Sequence, residues 1–287
     1  MRPRRYALLR WSATLLIAGL LAGTLARFAP GFGEDEELWD STRSEESRAR
    51  LRAAREADSN LLRFYPRFLL GLFRGDWGQS RSLQRPVRDL VAERTGLTAS
   101  ALGGGLVLGW SAALLTALLA SRYRRSGVAS AGAALSTLGL CLPAGLCAFL
   151  LLTAGAKGLA ALIFGVAVVV FSRLFPYFRN LLITGTAHSV TQARARGAGE
   201  WRVLLTHILR PCLPRVIALT SVAASVAIGA CIPLETILDQ PGIGQLAWQA
   251  AIARDLPLLI VVTWLLAAVL MLLNALSDGV GTGVATS

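Results

Sequence analysis

Side chains able to do acid–base, nucleophilic or metal chemistry are scarce in this sequence of 287 residues. There are two histidines and four cysteines, and no two cysteines form a Cys-x-x-Cys pair. The cysteines fall in or at the ends of apolar runs, where we expect buried small side chains rather than metal ligands. No Gly-x-x-x-x-Gly-Lys-Ser/Thr phosphate-binding motif is present. The sequence therefore predicts a chain with no catalytic residues, no metal site and no cofactor of its own.

A basic segment over 192–211 has the composition of a polar contact surface. Residues 192–211 read Gln-Ala-Arg-Ala-Arg-Gly-Ala-Gly-Glu-Trp-Arg-Val-Leu-Leu-Thr-His-Ile-Leu-Arg-Pro and lie between long apolar runs. We expect a short helix over 191–196, a turn over 197–199 and a second helix over 200–209, with Gly197 in the left-handed or crowded backbone between them. Such a segment is suited to press against a soluble partner. The alternative is an amphipathic hairpin on the membrane surface with no partner.

The composition indicates a membrane protein. The chain is 54% hydrophobic and carries a formal net charge of +12. Its basic residues cluster at the ends of apolar segments and are not interleaved with aromatic residues, which argues against a nucleic-acid partner. Cationic loops beside membrane spans are expected when positive charge is retained on the inner side.

Six apolar runs predict six transmembrane helices. They lie at about 8–28, 98–121, 128–154, 158–183, 214–234 and 256–276. The first follows arginines as a signal peptide does, but its length and the lack of a clear cleavage site favour a retained anchor. The arginine-rich loops after the second and fourth runs place the amino and carboxyl termini in the cytoplasm. We therefore expect an N-terminal tail and first helix over 1–28, an outer region over 29–97, and a five-helix core over 98–287 with a coupling loop at about 185–212.

Several local expectations accompany this layout. The outer region between Arg27 and Arg94 holds 13 arginines, nearly balanced by 12 acidic residues, and long translocated loops are exempt from the charge rule. Within it the charged stretch 34–55 predicts a solvated helix with no assigned role. Pro143 and Pro233 are expected to kink or end their helices. Arg173 is expected to reach the inner face by snorkelling.

Three stretches carry motifs of a known family. The first comprises 72–80 (Leu-Phe-Arg-Gly-Asp-Trp-Gly-Gln-Ser), 85–87 (Arg-Pro-Val) and 92–94 (Ala-Glu-Arg). The second is 193–211. The third comprises 235–237 (Glu-Thr-Ile), 241–246 (Pro-Gly-Ile-Gly-Gln-Leu) and 251–257 (Ala-Ile-Ala-Arg-Asp-Leu-Pro). Together with the six-span layout they resemble, over nearly the whole chain, the permease subunits of ABC importers of the dipeptide, oligopeptide and nickel class.

The resemblance implies an all-α type I ABC importer permease fold and roles for three groups of residues. In this family the first short helix of the cytoplasmic loop seats in a cleft of the ATPase. ATPase coupling is thus implied for Ala193, Arg194, Ala195, Arg196, Gly197 and Glu200. An outer gate or docking motif is implied for Glu235, Pro241, Gly242, Gly244 and Asp255. In the fifth span Thr220, Ser221 and Ser225 are candidates for lining the translocation path, although helix–helix hydrogen bonding explains them equally well.

The implied function is that of a transport subunit rather than an enzyme, located in the bacterial cytoplasmic (inner) membrane. The implied partners are a second homologous permease, two cytoplasmic ATPases that bind ATP-Mg, an extracytoplasmic solute-binding protein and the lipid bilayer. Peptide is the first expected substrate and nickel the second. Three features depart from the family: Gln192 replaces the usual Glu, the connection over 154–158 is short, and the carboxyl terminus lacks basic residues. The alternative is a non-transporting or degenerate permease-like scaffold that recruits a cytoplasmic partner.

Overall fold

A computed structural model gives the fold and describes residues 14, 17–21, 24, 71, 75–123, 127–184, 197 and 199–285. The described chain is helical, with no β-strand in these ranges and one isolated bridge between Gln79 and Pro86. The helices are α1 (Val87–Arg122), α2 (Val128–Cys141), α3 (Ala144–Thr153), α4 (Gly158–Thr184), α5 (Arg210–Ile237), α6 (Ile243–Ile252) and α7 (Leu256–Ala285).

Four stretches of helix are long and apolar enough to cross a membrane. They are α1, α4, the helix over Leu205–Ile237 and the part of α7 over Leu256–Ala275. The pair α2 and α3 makes a fifth if it is counted as one broken span. The all-α membrane fold is confirmed, and these elements cover five of the six predicted spans. The first predicted span lies mostly outside the described residues, so the six-span count and the cytoplasmic termini stay predictions.

The third predicted span is divided by a proline. Helix α2 ends at Cys141, α3 begins at Ala144, and the two axes differ by 101°. Leu142 has extended backbone angles, as expected for a residue that precedes proline, and Pro143 is the residue before the first turn of α3. The predicted effect of Pro143 is confirmed. The two helices are also joined to α4 by the short connection that the sequence predicts, residues 154–157.

Pro233 does not end its helix, since α5 continues to Ile237, and the expectation that it kinks the helix stays a prediction. One other sequence expectation is corrected. The second short helix of the basic segment, expected over 200–209, is not a separate element. A single α-helical turn over Glu200–Arg202 leads through a π-helical segment over Val203–Leu209 directly into α5. This wider π-helical turn lies just before Pro211 and Pro214. Neither proline can donate the usual i to i−4 hydrogen bond, yet the helix continues through both.

The internal contacts divide the chain into two compact units. The core unit consists of 96–245 and 269–287, and the loop unit of residues up to 95 and 246–268. In the core unit α4 packs against α2, α3 and α5, and it is the most buried of the candidate spans. Glycines make its contact with α1 possible, because a β-carbon at Gly105 or Gly109 would meet Val166 or Val170 of α4. Close approach through small residues is how helices associate where lipid removes the hydrophobic incentive.

Candidate functional site

The last turn of α5 carries a buried carboxyl group at the centre of a hydrogen-bond network in the core unit. Glu235 is 0% exposed. The Thr98 hydroxyl of α1 donates to its Oε1 at 2.7 Å. The backbone N–H groups of Gly244 and Gln245 donate to its Oε2 at 2.6 and 3.2 Å. A buried carboxyl group is costly unless hydrogen-bonded, and here both oxygens have donors.

These contacts form the N-terminal cap of α6. The first N–H groups of a helix have no partner inside the helix and need one elsewhere. In α6 the N–H of Ile243 donates to Thr98 Oγ1 at 2.8 Å, and the next two N–H groups donate to Glu235. A cap usually comes from the residue just before the helix. Here it comes from two other helices, so the start of α6 is fixed against both α1 and α5.

Glycines make this arrangement possible. A β-carbon at Gly242 would fall on the Glu235 carboxyl group, and one at Gly244 would meet the backbone of Cys231 and Ile232. Both glycines are buried, whereas Pro241 beside them is exposed. The Pro-Gly-Ile-Gly motif is therefore the sequence that lets a loop close over the end of α5.

A second buried carboxyl group organises the loop unit. Asp255, which is 1% exposed, precedes the first turn of α7, and the N–H of Leu258 donates to its Oδ1 at 3.3 Å. This is the geometry of an aspartate N-cap. Its Oδ2 accepts the Ser80 hydroxyl at 2.7 Å, and the hydroxyl and N–H of Ser82, each at 3.0 Å. Two predicted motifs, 72–80 and 251–257, are thus joined by direct hydrogen bonds.

The loop that presents these serines is held by its own backbone. The N–H of Ser80 donates to the carbonyl of Arg85 at 2.9 Å, and the N–H of Val87 donates to the carbonyl of Gly78 at 3.1 Å. Gly75 and Gly78 have φ values of +80° and +75°, a conformation that side chains disfavour. The N–H of Gly78 also donates to Asp76 Oδ1 at 3.0 Å. The Gly-Asp-Trp-Gly motif therefore makes the turn that aims Ser80 at Asp255.

The residues implied in ATPase coupling are described only in part. Ala193, Arg194, Ala195 and Arg196 lie outside the described residues. Gly197 has φ +76°, which agrees with the left-handed turn expected there, and a β-carbon at this position would meet nothing within 4 Å. Glu200 begins the helical turn that leads into α5. The coupling role of these residues stays a prediction.

The three path candidates lie on α5. Thr220 and Ser225 are exposed, and Ser221 is partly buried. The hydroxyl of Ser221 donates to the carbonyl of Ala218, and that of Ser225 donates to the carbonyl of Ser221. The two serines thus satisfy their hydroxyl protons within their own helix. Among the described residues no three His, Cys, Asp or Glu side chains are grouped so as to hold a metal ion.

Sequence reasoning missed three residues of these networks. The sequence places Thr98 only at the start of a span and gives Ser80 and Ser82 no site role. Thr98 lies 137 positions from Glu235, and Ser80 lies 175 positions from Asp255. The one available signal was the presence of hydroxyl residues at the borders of apolar runs, and that signal is too common to select a partner.

The structure so far defines a multi-pass helical membrane protein with two buried carboxylate caps and a glycine turn at its basic segment. Residues 105–285 match the family described as binding-protein-dependent transport system inner membrane component. The chain is 25% identical to a peptide transport system permease protein of Brucella abortus (strain 2308), with 92% of this chain and 91% of that protein covered. It is 26% identical to a glutathione transport system permease protein of Pectobacterium atrosepticum, with 80% and 85% covered.

A shorter similarity links it to a nickel import system permease protein of Staphylococcus aureus, at 28% identity over 34% of this chain and 30% of that protein. The family match covers more than half of the chain. The chain therefore belongs to the family of binding-protein-dependent transport system inner membrane components, which confirms the resemblance found in its motifs.

Proposed function

We propose that this chain is one permease subunit of an ATP-driven importer and forms part of the translocation path for peptides or a related small solute. The similarity to permeases named for peptides and glutathione extends over most of the chain, which supports a peptide-like substrate. The similarity to the nickel permease covers a third of the chain and gives weaker support for a metal ion. The chain binds no cofactor in this scheme, and ATP-Mg binds to the partner subunits.

One observation carries the proposal. The helix that starts at Glu200 continues without a break to Ile237 and ends in the turn that carries Glu235. A helix of this length spans roughly 55 Å at about 1.5 Å per residue, which exceeds the thickness of a bilayer. The glycine turn at Gly197 lies just before one end, and the cap of α6 lies at the other. One continuous helical element thus connects the segment expected to meet the ATPase with the segment expected on the outer face.

The mechanism follows from this connection. Ala193, Arg194, Ala195 and Arg196 would contact the ATPase, with Gly197 making the turn that returns the chain to the helix. Closure of the two ATPases on ATP would displace this turn and move α5 with it. The hydrogen bonds of Glu235 would transmit the displacement to the start of α6. There Pro241 and Gly242, just before the helix, and Gly244, in its first turn, form the gate or docking surface. The result is a two-state exchange between inward and outward access.

The remaining partners have places in this scheme. A second, homologous permease completes the path, and the exposed Thr220 and Ser225 would line it on this side. A solute-binding protein docks on the outer face, to which the docking motif with Asp255 is assigned. Such a complex resides in the bacterial inner membrane.

Uptake by the assembled complex in proteoliposomes tests the proposal. The chain would be co-expressed with a candidate second permease, ATPases and solute-binding protein from the same organism, and labelled dipeptide or Ni²⁺ would be offered with and without ATP. The proposal expects ATP-dependent accumulation of the peptide. Accumulation of Ni²⁺ alone would reassign the substrate. Assembly with a cytoplasmic partner but no uptake of either solute would favour the scaffold.

A further inference from the structure

One face of α4 changes from buried and apolar to exposed and polar in the middle of the span. The stripe comprises Val166, Val170, Arg173, Tyr177 and Asn180, which are spaced alternately four and three residues apart and so share one face of a helix. The two valines are 0% exposed, because α1 covers them at Gly105 and Gly109. The next three residues are exposed, with Tyr177 at 48%. The covered part is apolar and the uncovered part is polar.

The other side of the same segment is an ordinary core surface. Leu174, Phe175, Phe178 and Leu182 are all at most 3% exposed. Phe178 makes an edge-to-face contact with Trp110 at 5.5 Å between ring centroids. The polar stripe is therefore not a loosely packed part of the helix. It is a separate face that the described part of this chain leaves uncovered.

Arg173 lies too deep for an ordinary interface residue. It is 15 residues from the start of α4 and six residues before Arg179, so it lies about 9 Å further into the span than that arginine. In the described part of the chain its guanidinium has no hydrogen-bond or ion-pair partner. A helix-centre arginine facing lipid costs about 2.5–3.5 kcal/mol even on permissive insertion scales. A tyrosine and an asparagine on the same face point to water rather than to lipid.

We propose that Arg173, Tyr177 and Asn180 face the water-filled path and that Arg173 binds the carboxylate of the transported solute, the C-terminal carboxylate of a short peptide. The inference rests on the proposed function. Every peptide with a free C-terminus carries this group, and the planar guanidinium can pair with it through two parallel hydrogen bonds. Tyr177 and Asn180 continue the same polar face one and two turns further along the helix. A bare divalent cation would be repelled by Arg173, so the stripe favours a peptide over free Ni²⁺.

Thiol labelling tests whether the stripe is accessible to water and attracts anions. The complex would carry Tyr177→Cys in a background without the four native cysteines, with Asn180→Cys as a second reporter. The probes are the anionic sulfonatoethyl and the cationic trimethylammonioethyl methanethiosulfonates, applied to inverted membrane vesicles. For the Tyr177→Cys reporter, the ratio of anionic to cationic labelling rates should fall about tenfold when Arg173→Gln is added. A unit charge about 6 Å away changes the local concentration of each probe about threefold in water, in opposite directions for the two probes. Arg179→Gln is the matched control, because a residue two positions from the reporter lies on another face.

Protection by ligand tests the carboxylate itself. A dipeptide with a free C-terminus should slow labelling of Tyr177→Cys at least threefold more than the same dipeptide amide, and Arg173→Gln should abolish the difference. Labelling by neither probe at either reporter in any nucleotide state would show that lipid covers the stripe, and would overturn the proposal. Equal protection by both dipeptides would overturn it as well. Preferential protection without ATP-dependent uptake of the dipeptide would instead contradict the proposed importer function, so the two failures are distinguishable.

Discussion

The hydroxyl of Thr98 and the carboxyl group of Glu235 lie 137 positions apart in the chain and are joined by a hydrogen bond of 2.7 Å. Thr98 is 5% exposed and Glu235 is 0% exposed. The same two side chains accept hydrogen bonds from the first three N–H groups of α6. The start of α6 therefore depends on a single buried polar cluster, and α6 is tied through it to the end of α5.

Replacing Thr98 by valine tests this dependence. The variant keeps the shape of the side chain but removes the donor to Glu235 and the acceptor for Ile243, and each buried group left without a partner costs about 1–3 kcal/mol. We expect a clearly lower midpoint of thermal unfolding for the purified protein. Ser100→Ala is the matched control, since the hydroxyl of Ser100 is exposed and donates only to its own helix. Equal midpoints for the two variants would contradict the cap.

The close approach of Gly242 to Glu235 gives a second prediction. In Gly242→Ala the new methyl group would occupy the position of the Glu235 carboxyl group, which must then move away from its donors. We expect destabilisation of about 1–3 kcal/mol from overpacking. Gly229→Ala is the control, because a β-carbon there meets nothing within 4 Å. Denaturation of both variants in the same detergent measures the difference, and a Gly242→Ala protein as stable as the control would remove the steric argument.

The contact between Ser80 and Asp255 predicts energetic coupling between distant motifs. Ser80→Ala and Asp255→Asn should each destabilise the protein, and the double variant should lose less than the sum of the two. For residues that share a hydrogen bond the interaction energy is about 0.5–3 kcal/mol. A double-mutant cycle of unfolding free energies gives this value. Ser130→Ala, at an exposed serine that bonds within its own turn, should show no coupling to Asp255→Asn.

The parts of this structure that the sequence predicts are those with a local cause. Runs of apolar residues predicted five of the helices, and Pro143 predicted the break between α2 and α3, because both effects act within a few residues. The left-handed turn expected at Gly197 also has a local origin, since glycine alone adopts that backbone freely. Gly75 has a positive φ for the same reason, whereas Gly242 is required by its close approach to the Glu235 carboxyl group.

The partners of the buried carboxyl groups could not be predicted, because they depend on which helices pack together. Thr98 and Ser80 are ordinary residues at the borders of apolar runs until the fold brings Glu235 and Asp255 beside them. The extension of α5 back to Glu200 was missed for a different reason. Pro211 and Pro214 lie between the two predicted helices, and proline is usually unfavourable inside a helix. In the structure a π-helical segment precedes both prolines and the helix continues through them.

The predicted orientation can be tested by reporter fusions. A fusion near Ser44 should be exported, while fusions near Ser126 and Gly199 should remain in the cytoplasm, because the arginine-rich loops are retained on the inner side. Paired alkaline phosphatase and fluorescent protein reporters would show the location of each site. An external location of the Gly199 fusion would remove the basic segment from any contact with an ATPase.

The conformation of Gly197 gives the most direct test of the coupling proposal. Its φ of +76° disfavours a side chain, although no atom obstructs one. A β-branched residue held in this conformation costs about 1–3 kcal/mol, which is a loss of affinity for the ATPase of about 5- to 150-fold if binding requires the turn. Asparagine adopts the left-handed conformation more readily than other residues. Gly199, two positions further on, has no positive φ and open space around it.

The decisive measurement compares Gly197→Val, Gly197→Asn and Gly199→Val by co-purification with the ATPase subunits and by peptide uptake in proteoliposomes. All three proteins should insert in the membrane in normal amounts. The account predicts that Gly197→Val loses both ATPase contact and uptake, while Gly197→Asn and Gly199→Val keep most of both. Normal assembly and transport by Gly197→Val would contradict the account and leave the permease-like scaffold as the better description.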